Sequence, residues 1–139
     1  MRLLLPVFIT LLSLIACDNK GNFDTLLSSD IVDFIQKEYK GSTICKAEYD
    51  ENGLYEVEIN HNRILKEVYF DTDDNWVYTT WDVRVSDLSV AVREAVLEKY
   101  PGCRIDDVDA VERIDKSYYK IELDKGELEK TVYITPVED

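Results

Sequence analysis

The chain has 139 residues, of which 45% are hydrophobic and 32% charged, a composition typical of one soluble globular domain with a modest core. Its formal net charge of −13 argues against nucleic-acid binding, because an acidic surface repels phosphate backbones. An acidic chain also lacks the basic patch that binds anionic lipid headgroups, so any attachment to a membrane needs another mechanism.

The first residues have the features of a secretion signal. A positive start, Met1-Arg2, precedes an apolar run over residues 3–16 that is too short to span a bilayer comfortably. The run ends in Leu14-Ile15-Ala16-Cys17, which resembles the lipobox of bacterial lipoprotein signal peptides. The resemblance implies removal of residues 1–16, acylation of Cys17, and lipid anchoring to a bacterial membrane in the cell envelope, facing the periplasm. An ordinary signal peptide and an uncleaved anchor helix are the alternatives.

Residues 17–26 comprise Cys17 and a polar tether. The first element after the tether has the spacing of a helix. The apolar positions on one helix face are Leu27, Ile31, Phe34, Ile35 and Tyr39. They predict a helix over residues 28–40, and Gly41 ends it because glycine readily adopts positive φ. Strands separated by polar turns are predicted over residues 43–49, 55–59, 64–70 and 75–83.

The same pattern returns later in the chain. Tyr39-Lys40-Gly41 reappears as Tyr100-Pro101-Gly102, at an offset of 61 residues. The spacing predicts a second helix from Ser86 or Asp87 to Tyr100. Further strands are predicted over residues 104–112, 119–123 and 128–134, without a clear fourth strand.

This repetition predicts the fold class. We expect an α+β fold, a tandem repeat of a helix plus three or four antiparallel strands, with two helices packed on one face of a joint antiparallel sheet. Residues 27–139 would form one duplicated domain, with its first unit over residues 27–85 and its second over residues 86–139.

One spaced motif occurs in both units. It reads Leu-x-x-x-(Ile/Val)-x-x-(Phe/Ala)-(Ile/Val)-x-x-x-Tyr-(Lys/Pro)-Gly-x-x-Ile, followed by a Tyr-x-(Val/Ile)-x-(Ile/Leu) strand and a Val-Tyr-(Phe/Ile) strand. Over residues 27–134 this pattern resembles the PepSY-like family of bacterial periplasmic proteins, which are related in fold to β-lactamase inhibitor protein. Ser28, Ser89 and Lys40 stand where that family usually has proline. The resemblance implies a small non-enzymatic module whose sheet face binds a protein or peptide, and it does not imply β-lactamase inhibition.

Aromatic side chains are the main candidates for binding, since the chain has nine tyrosines and two tryptophans. The sheet side predicted to stay free of the helices carries Glu56, Glu58, Tyr69, Lys120, Glu122 and Tyr133. The candidate binding residues are Tyr69, Tyr133, Trp76, Tyr78 and Trp81. An aromatic row on an open sheet face suits recognition of a protein or peptide. The same rings would suit packing over a thin sheet, a dimer interface or a sugar site.

The sequence contains no motif for catalysis or for a cofactor. The acidic turn over residues 71–75 partly fits a calcium loop, but Trp76 stands where such loops need glycine, so no metal site is predicted. His61 is expected in a surface turn without a catalytic partner. The spacing of Cys45 and Cys103 leaves open whether they form a disulfide.

The sequence therefore predicts a binding module and not an enzyme. We expect a lipid-anchored cell-envelope protein that recognises a protein or peptide on its open sheet face, without a cofactor. The alternative function is inhibition of an envelope protease or other hydrolase. The oligomeric state and the identity of the partner stay open.

Overall fold

The computed structural model describes residues 27–136, which form two helices and a seven-stranded antiparallel sheet. The strands lie in the sheet in chain order, so each one pairs with its neighbours in sequence. The elements are α1 Ser29–Glu38, β1 Thr43–Tyr49, β2 Tyr55–His61, β3 Ile64–Phe70, β4 Trp76–Asp82, α2 Val90–Lys99, β5 Arg104–Arg113, β6 Ser117–Lys125 and β7 Leu128–Ile134. The predictions for residues 1–16 and 17–26 lie outside the described residues.

Helix α1 begins and ends at residues with clear capping roles. The hydroxyl of Ser28 accepts a hydrogen bond from the backbone N–H of Ile31 at 3.3 Å, which satisfies one of the free donors of the first turn. Gly41, with φ of +82°, lets the chain turn back toward the sheet. Ile31 and Ile35 are almost completely buried against β2 and β3, where each side chain contributes about 1.5–3 kcal/mol of hydrophobic stabilisation.

Helix α2 is capped in the same way, by Ser89, whose hydroxyl accepts from the backbone N–H of Val92 at 3.2 Å. The prediction that Ser86 or Asp87 caps this helix is therefore wrong. Those residues belong to a short 3₁₀ turn over Val85–Asp87, and the Arg84 guanidinium donates to the Asp87 carboxylate at 2.8 Å. Buried side chains of α2 pack against β5, β6 and β7 in a second hydrophobic cluster.

The connection between β2 and β3 is shorter than predicted. Asn62 and Arg63 both have positive φ, 54° and 67°, the backbone of a two-residue hairpin whose twist matches the strands. His61 therefore lies in β2 and not in the turn, and its ring meets the Tyr39 ring edge-on at 5.6 Å. The side chain of His61 is half-buried and packs against Tyr39, so the prediction of a surface turn residue is wrong.

Two β-bulges bend the sheet near the starts of β1 and β5. Each inserts one extra residue, Cys45 in β1 and Asp106 in β5, into otherwise regular antiparallel pairing. The thiol of Cys103 is free, so Cys45 and Cys103 are not joined by a disulfide. Within residues 27–136, neither helix is long and apolar enough to cross a membrane.

Candidate functional site

One side of the sheet carries a continuous row of polar and aromatic side chains. In the register Tyr69 opposes Tyr78, and Tyr78 opposes Arg113. Further along, Lys120 opposes Tyr133. Directly opposed residues share a side, and alternate residues of a strand do so too. We call this side, defined by Glu56, Glu58, Glu67, Tyr69, Tyr78, Asp82, Asp109, Arg113, Tyr118, Lys120 and Tyr133, the acidic face.

The acidic face is opposite the side of β2 and β3 that packs on α1. Val57 and Val68, which oppose each other in the register, are completely buried in the cluster under that helix. Tyr69 follows Val68 and points the other way, as strand alternation requires. The prediction that Tyr69, Lys120 and Tyr133 share one side of the sheet is therefore confirmed.

A groove of about 480 Å³ crosses the acidic face from β3 to β7. Its lining includes Glu67, Tyr78, Asp82, Asp109, Tyr118 and Tyr133. The groove combines aromatic rings with carboxylates, and it crosses the β4–β5 pair, where the first and second halves of the chain meet. A concave site with rings and a few convergent charges is the usual form of a recognition surface.

Tyr69 forms part of the floor of this face and is only 8% exposed. Its ring stacks on Tyr78, with centroids 4.4 Å apart and planes inclined by 19°. Its hydroxyl is shared between the carboxylates of Glu56 at 3.1 Å and Glu67 at 3.0 Å. Burial raises the pKa of Tyr69, so the hydroxyl stays a donor to both acids. Tyr69 therefore positions two carboxylates and offers little of its own ring to a partner.

Tyr133 is the most accessible ring of the site, with 64% of its side chain exposed. It lies on the edge strand β7 and meets the ring of Tyr118 edge-on at 5.8 Å. Tyr118 also lines the groove, although it is not among the binding residues predicted from the sequence. Strand alternation could have identified it, because Tyr118 precedes Lys120 by two residues and so shares its side.

Burial raises the pKa of the Glu67 carboxyl, although the hydrogen bond from Tyr69 works in the opposite direction. The negative charges of Glu56 and Asp82 raise that pKa further. Burial also raises the pKa of Asp82, and the facing carboxylate of Asp109 adds to the effect. Three of these carboxylates, those of Glu67, Asp82 and Asp109, line the groove together.

Cations neutralise only part of this cluster. Lys120 lies 3.4 Å from the Asp109 carboxylate and 3.6 Å from that of Glu122. Among the ion pairs within residues 27–136, none includes Glu67 or Asp82. The lining of the groove therefore carries three carboxylates, those of Glu67, Asp82 and Asp109, against the two cations of Arg113 and Lys120.

Trp76 does not lie on the acidic face, contrary to the prediction that grouped it with Tyr78. A register shift places one extra residue of β4 opposite β3, so that Trp76 opposes Phe70. The indole consequently stacks on Phe34 of α1, with centroids 5.5 Å apart. Its N–H donates to the hydroxyl of Thr79 at 3.0 Å.

Trp81 is also separated from the tyrosines by its register position. It opposes Ala110, on the side of the sheet that carries Thr79. The ammonium of Lys66 lies 3.8 Å from the centroid of its ring. Trp81 reaches the lining of the groove, but its indole is already engaged by this cation.

The acidic turn after β3 uses its oxygens internally. The Asp71 carboxylate accepts hydrogen bonds from the backbone N–H groups of Asp73 and Asn75, both at 2.9 Å. Hydrogen bonds from Asn75 lower the pKa of Asp71. Within residues 27–136, no group of three or more His, Cys, Asp or Glu side chains is arranged to hold a metal ion.

Replacing Glu67 with glutamine should raise the melting temperature at neutral pH. A carboxyl whose pKa is higher in the folded state than in the unfolded state stabilises the fold at pH values below its ordinary pKa of 4.5. That contribution is lost as the pH rises through the pKa of the folded state. Glutamine removes the charge and keeps an acceptor for Tyr69. Thermal melts should show a gain at neutral pH that disappears below pH 4.5. An equal gain from Glu94→Gln, an exposed position on α2, would show that only the net charge matters.

Known families and structures resemble this chain over most of its described length. A family model described as "Putative beta-lactamase-inhibitor-like, PepSY-like" matches residues 53–135. No curated protein matches the chain.

Three crystal structures share the fold. A BLIP-like protein from Bacteroides fragilis is 27% identical, with a TM-score of 0.67, over 81% of this chain and 83% of its own. A DUF2874 family protein from Bacteroides ovatus is 22% identical, with a TM-score of 0.66, over 78% of this chain and 79% of its own. A protein from Bacteroides eggerthii described among "putative periplasmic proteins" is 17% identical, with a TM-score of 0.63, over 78% of this chain and 81% of its own.

Proposed function

The chain belongs to the PepSY-like family, and from this premise we propose that it is a non-enzymatic binding module of the cell envelope whose acidic face engages a protein or peptide. The observation that carries the proposal is the groove of about 480 Å³, which is lined by the rings of Tyr78, Tyr118 and Tyr133. Aromatic residues at the centre of a surface patch supply most of the binding energy in many protein interfaces.

We infer that the two helices cover the same side of the sheet, which leaves the acidic face to a partner. The register supports this inference, because Val68 under α1 opposes Thr79, and Thr79 opposes Glu112. Val108 lies four residues before Glu112 on β5, so strand alternation gives both the same side. Val108 belongs to the cluster under α2.

We also infer that the fold is a duplicated unit. The helix caps Ser28 and Ser89 lie 61 residues apart, and the bulge residues Cys45 and Asp106 have the same separation. Bulges bend a strand at one defined point, so their recurrence at one offset supports two copies of one unit.

Attachment to the membrane is proposed to run through Cys17. The support is the sequence Leu14-Ile15-Ala16-Cys17 at the end of an apolar run, followed by a polar segment. A lipid chain would hold the domain in the envelope without a membrane-spanning helix. Labelled palmitate that enters the protein equally well after Cys17→Ser would contradict this proposal.

Tyr133→Ala should release the partner in pull-downs from an envelope extract of the bacterium that carries the protein. Removing one exposed anchor ring is expected to weaken binding about tenfold or more. Tyr49→Ala is the matched control, because Tyr49 is 72% exposed but opposes Tyr55, on the α1 side of the sheet. A partner lost in Tyr133→Ala and kept in Tyr49→Ala supports the acidic face. Unchanged capture by both variants contradicts it.

Inhibition of an envelope hydrolase is the second candidate function. The observation that favours it is the similarity, at 27% identity, to a structure described as a BLIP-like protein. An inhibitor would also use a preformed sheet face, so the geometry fits both functions. Direct assays against purified envelope peptidases separate them: slower cleavage that Tyr133→Ala restores supports inhibition, and unchanged cleavage rates oppose it.

A further inference from the structure

We propose that the groove of the acidic face docks a lysine- or arginine-bearing segment of the partner protein, with a basic side chain lying between Glu67 and Asp82. This inference rests on the proposed function and specifies the chemistry of the partner. Three features of the face lead to it: the distribution of charge, the arrangement of the rings, and the way the rings already contact cations.

Charge is the first feature. Six carboxylates occupy neighbouring register positions on the acidic side of β2 to β5: Glu56, Glu58, Glu67, Asp82, Asp107 and Asp109. Of these six, only Asp109 has an ion pair within residues 27–136, with Lys120. Glu58 directly opposes Glu67, and Asp82 directly opposes Asp109, although facing like charges destabilise a sheet. A basic side chain from a partner would relieve this repulsion on binding.

The rings are the second feature. Tyr78, Tyr118 and Tyr133 line the same groove as Glu67 and Asp82, so carboxylates and aromatic surface are presented together. Lysine and arginine match such a surface, because their long stems cover apolar area while the charged head reaches an acid. A neutral apolar segment would leave the carboxylates of Glu67 and Asp82 without an ion-pair partner, and an acidic segment would be repelled.

The rings of this face already accept cations from the chain itself. The guanidinium of Arg113 lies 5.7 Å from the centroid of Tyr78, and the ammonium of Lys116 lies 5.9 Å from that of Tyr118. Both are within the range in which a cation is attracted to a ring face. The Tyr78 ring already lies between the ring of Tyr69 and the guanidinium of Arg113. The exposed ring of Tyr133 can receive a partner's basic group in the same way.

A small cation fits this arrangement less well than a side chain does. Within residues 27–136, no three acidic, histidine or cysteine side chains converge closely enough to hold a metal ion. The carboxylates are spread along four strands, a spacing that suits several basic groups carried on one extended or helical segment. We therefore commit to a basic protein segment as the occupant.

The test uses short fluorescein-labelled peptides and the domain with its tether, without the signal segment. One peptide alternates lysine with alanine and one tyrosine, and its counterparts replace lysine with glutamine or glutamate. Fluorescence polarisation should rank lysine above glutamine above glutamate. The double variant Glu67→Gln/Asp82→Asn should bind the lysine peptide about tenfold more weakly.

The matched control changes net charge equally at a distance from the groove. Asp33→Asn/Glu98→Gln removes two exposed carboxylates from the helices, and it should alter binding less than about twofold because salt screens remote charges. Equal weakening by both double variants would overturn the docking site in favour of overall charge. Binding of the glutamine peptide as tight as that of the lysine peptide would overturn the basic partner. In that case the Tyr133→Ala pull-down decides separately whether the acidic face binds a partner at all.

Discussion

Phe70→Ala is expected to lower the free energy of unfolding by about 3–5 kcal/mol, because it removes a large side chain from a site that cannot collapse. Phe70 has no exposed surface and lies at the end of β3 under α1. The ring of Phe34 meets it at right angles, with centroids 5.5 Å apart. Both the transfer of the ring and the remaining cavity therefore contribute to the loss. Chemical denaturation measures it directly.

The control is Leu128→Ala on β7, whose side chain is 72% exposed and so should change stability by less than about 0.5 kcal/mol. Equal losses in the two variants would contradict the assignment of Phe70 to the core. Phe70 directly follows Tyr69 on β3, so the cluster under α1 also supports the floor of the acidic face. A destabilised Phe70 variant should therefore lose partner binding only to the extent that it unfolds.

Regular strands could be read from the sequence because their signals are local. Residues 43–49, 64–70 and 128–134 were predicted and are found as β1, β3 and β7 with the same bounds. Alternating side chains between polar turns leave little choice of register or length. The side on which Tyr69 and Tyr133 lie follows from the same alternation.

The structure differs from the sequence predictions where several residues compete for one role, or where a distant strand decides which side a residue takes. Ser86, Asp87 and Ser89 are all good N-cap residues, and only the folded chain shows that Ser89 bonds the first turn of α2. Trp76 changes side because β4 carries an extra residue opposite β3, a consequence of long-range pairing. A local pattern could not reveal either outcome.

The candidate site depended even more on distant pairing. The groove exists because β4 pairs with β5, which brings Asp82 opposite Asp109 across a separation of 27 residues in the chain. The sequence identified the aromatic residues but could not show that Tyr69 is covered by Tyr78 while Tyr133 stays exposed. Exposure is decided by the neighbouring strand, and β7 is an edge strand of the sheet.

A buried hydrogen-bond chain links α1 to the middle of the sheet. The Trp76 indole N–H donates to the Thr79 hydroxyl at 3.0 Å, and the Thr79 and Tyr39 hydroxyls are 2.7 Å apart. The Tyr39 hydroxyl in turn donates to the Glu112 carboxylate at 3.3 Å. Burial raises the pKa of Tyr39 to about 12, which keeps its hydroxyl protonated as a donor. The chain thereby connects α1 and β4 to β5.

Thr79→Val is expected to lower the free energy of unfolding by about 1–3 kcal/mol, because it removes the central hydroxyl of this chain while keeping the shape of the side chain. Thr79 has no exposed surface, and its replacement leaves both the Trp76 indole N–H and the buried Tyr39 hydroxyl without this partner. Chemical denaturation with unchanged m-values would show that the folded state is weakened and not expanded.

Thr80→Val is the matched control at the next residue of β4. The Thr80 hydroxyl donates to the Ala110 carbonyl at 3.0 Å, but Thr80 is only half-buried and its replacement breaks one hydrogen bond instead of two. Its replacement should cost less than about 1 kcal/mol.

If both variants lose the same stability, the buried chain has no special role. If Thr79→Val alone is costly, the contact between α1 and the middle of the sheet depends on one hydroxyl. The loss then follows from leaving buried polar groups without partners, since valine fills the same space.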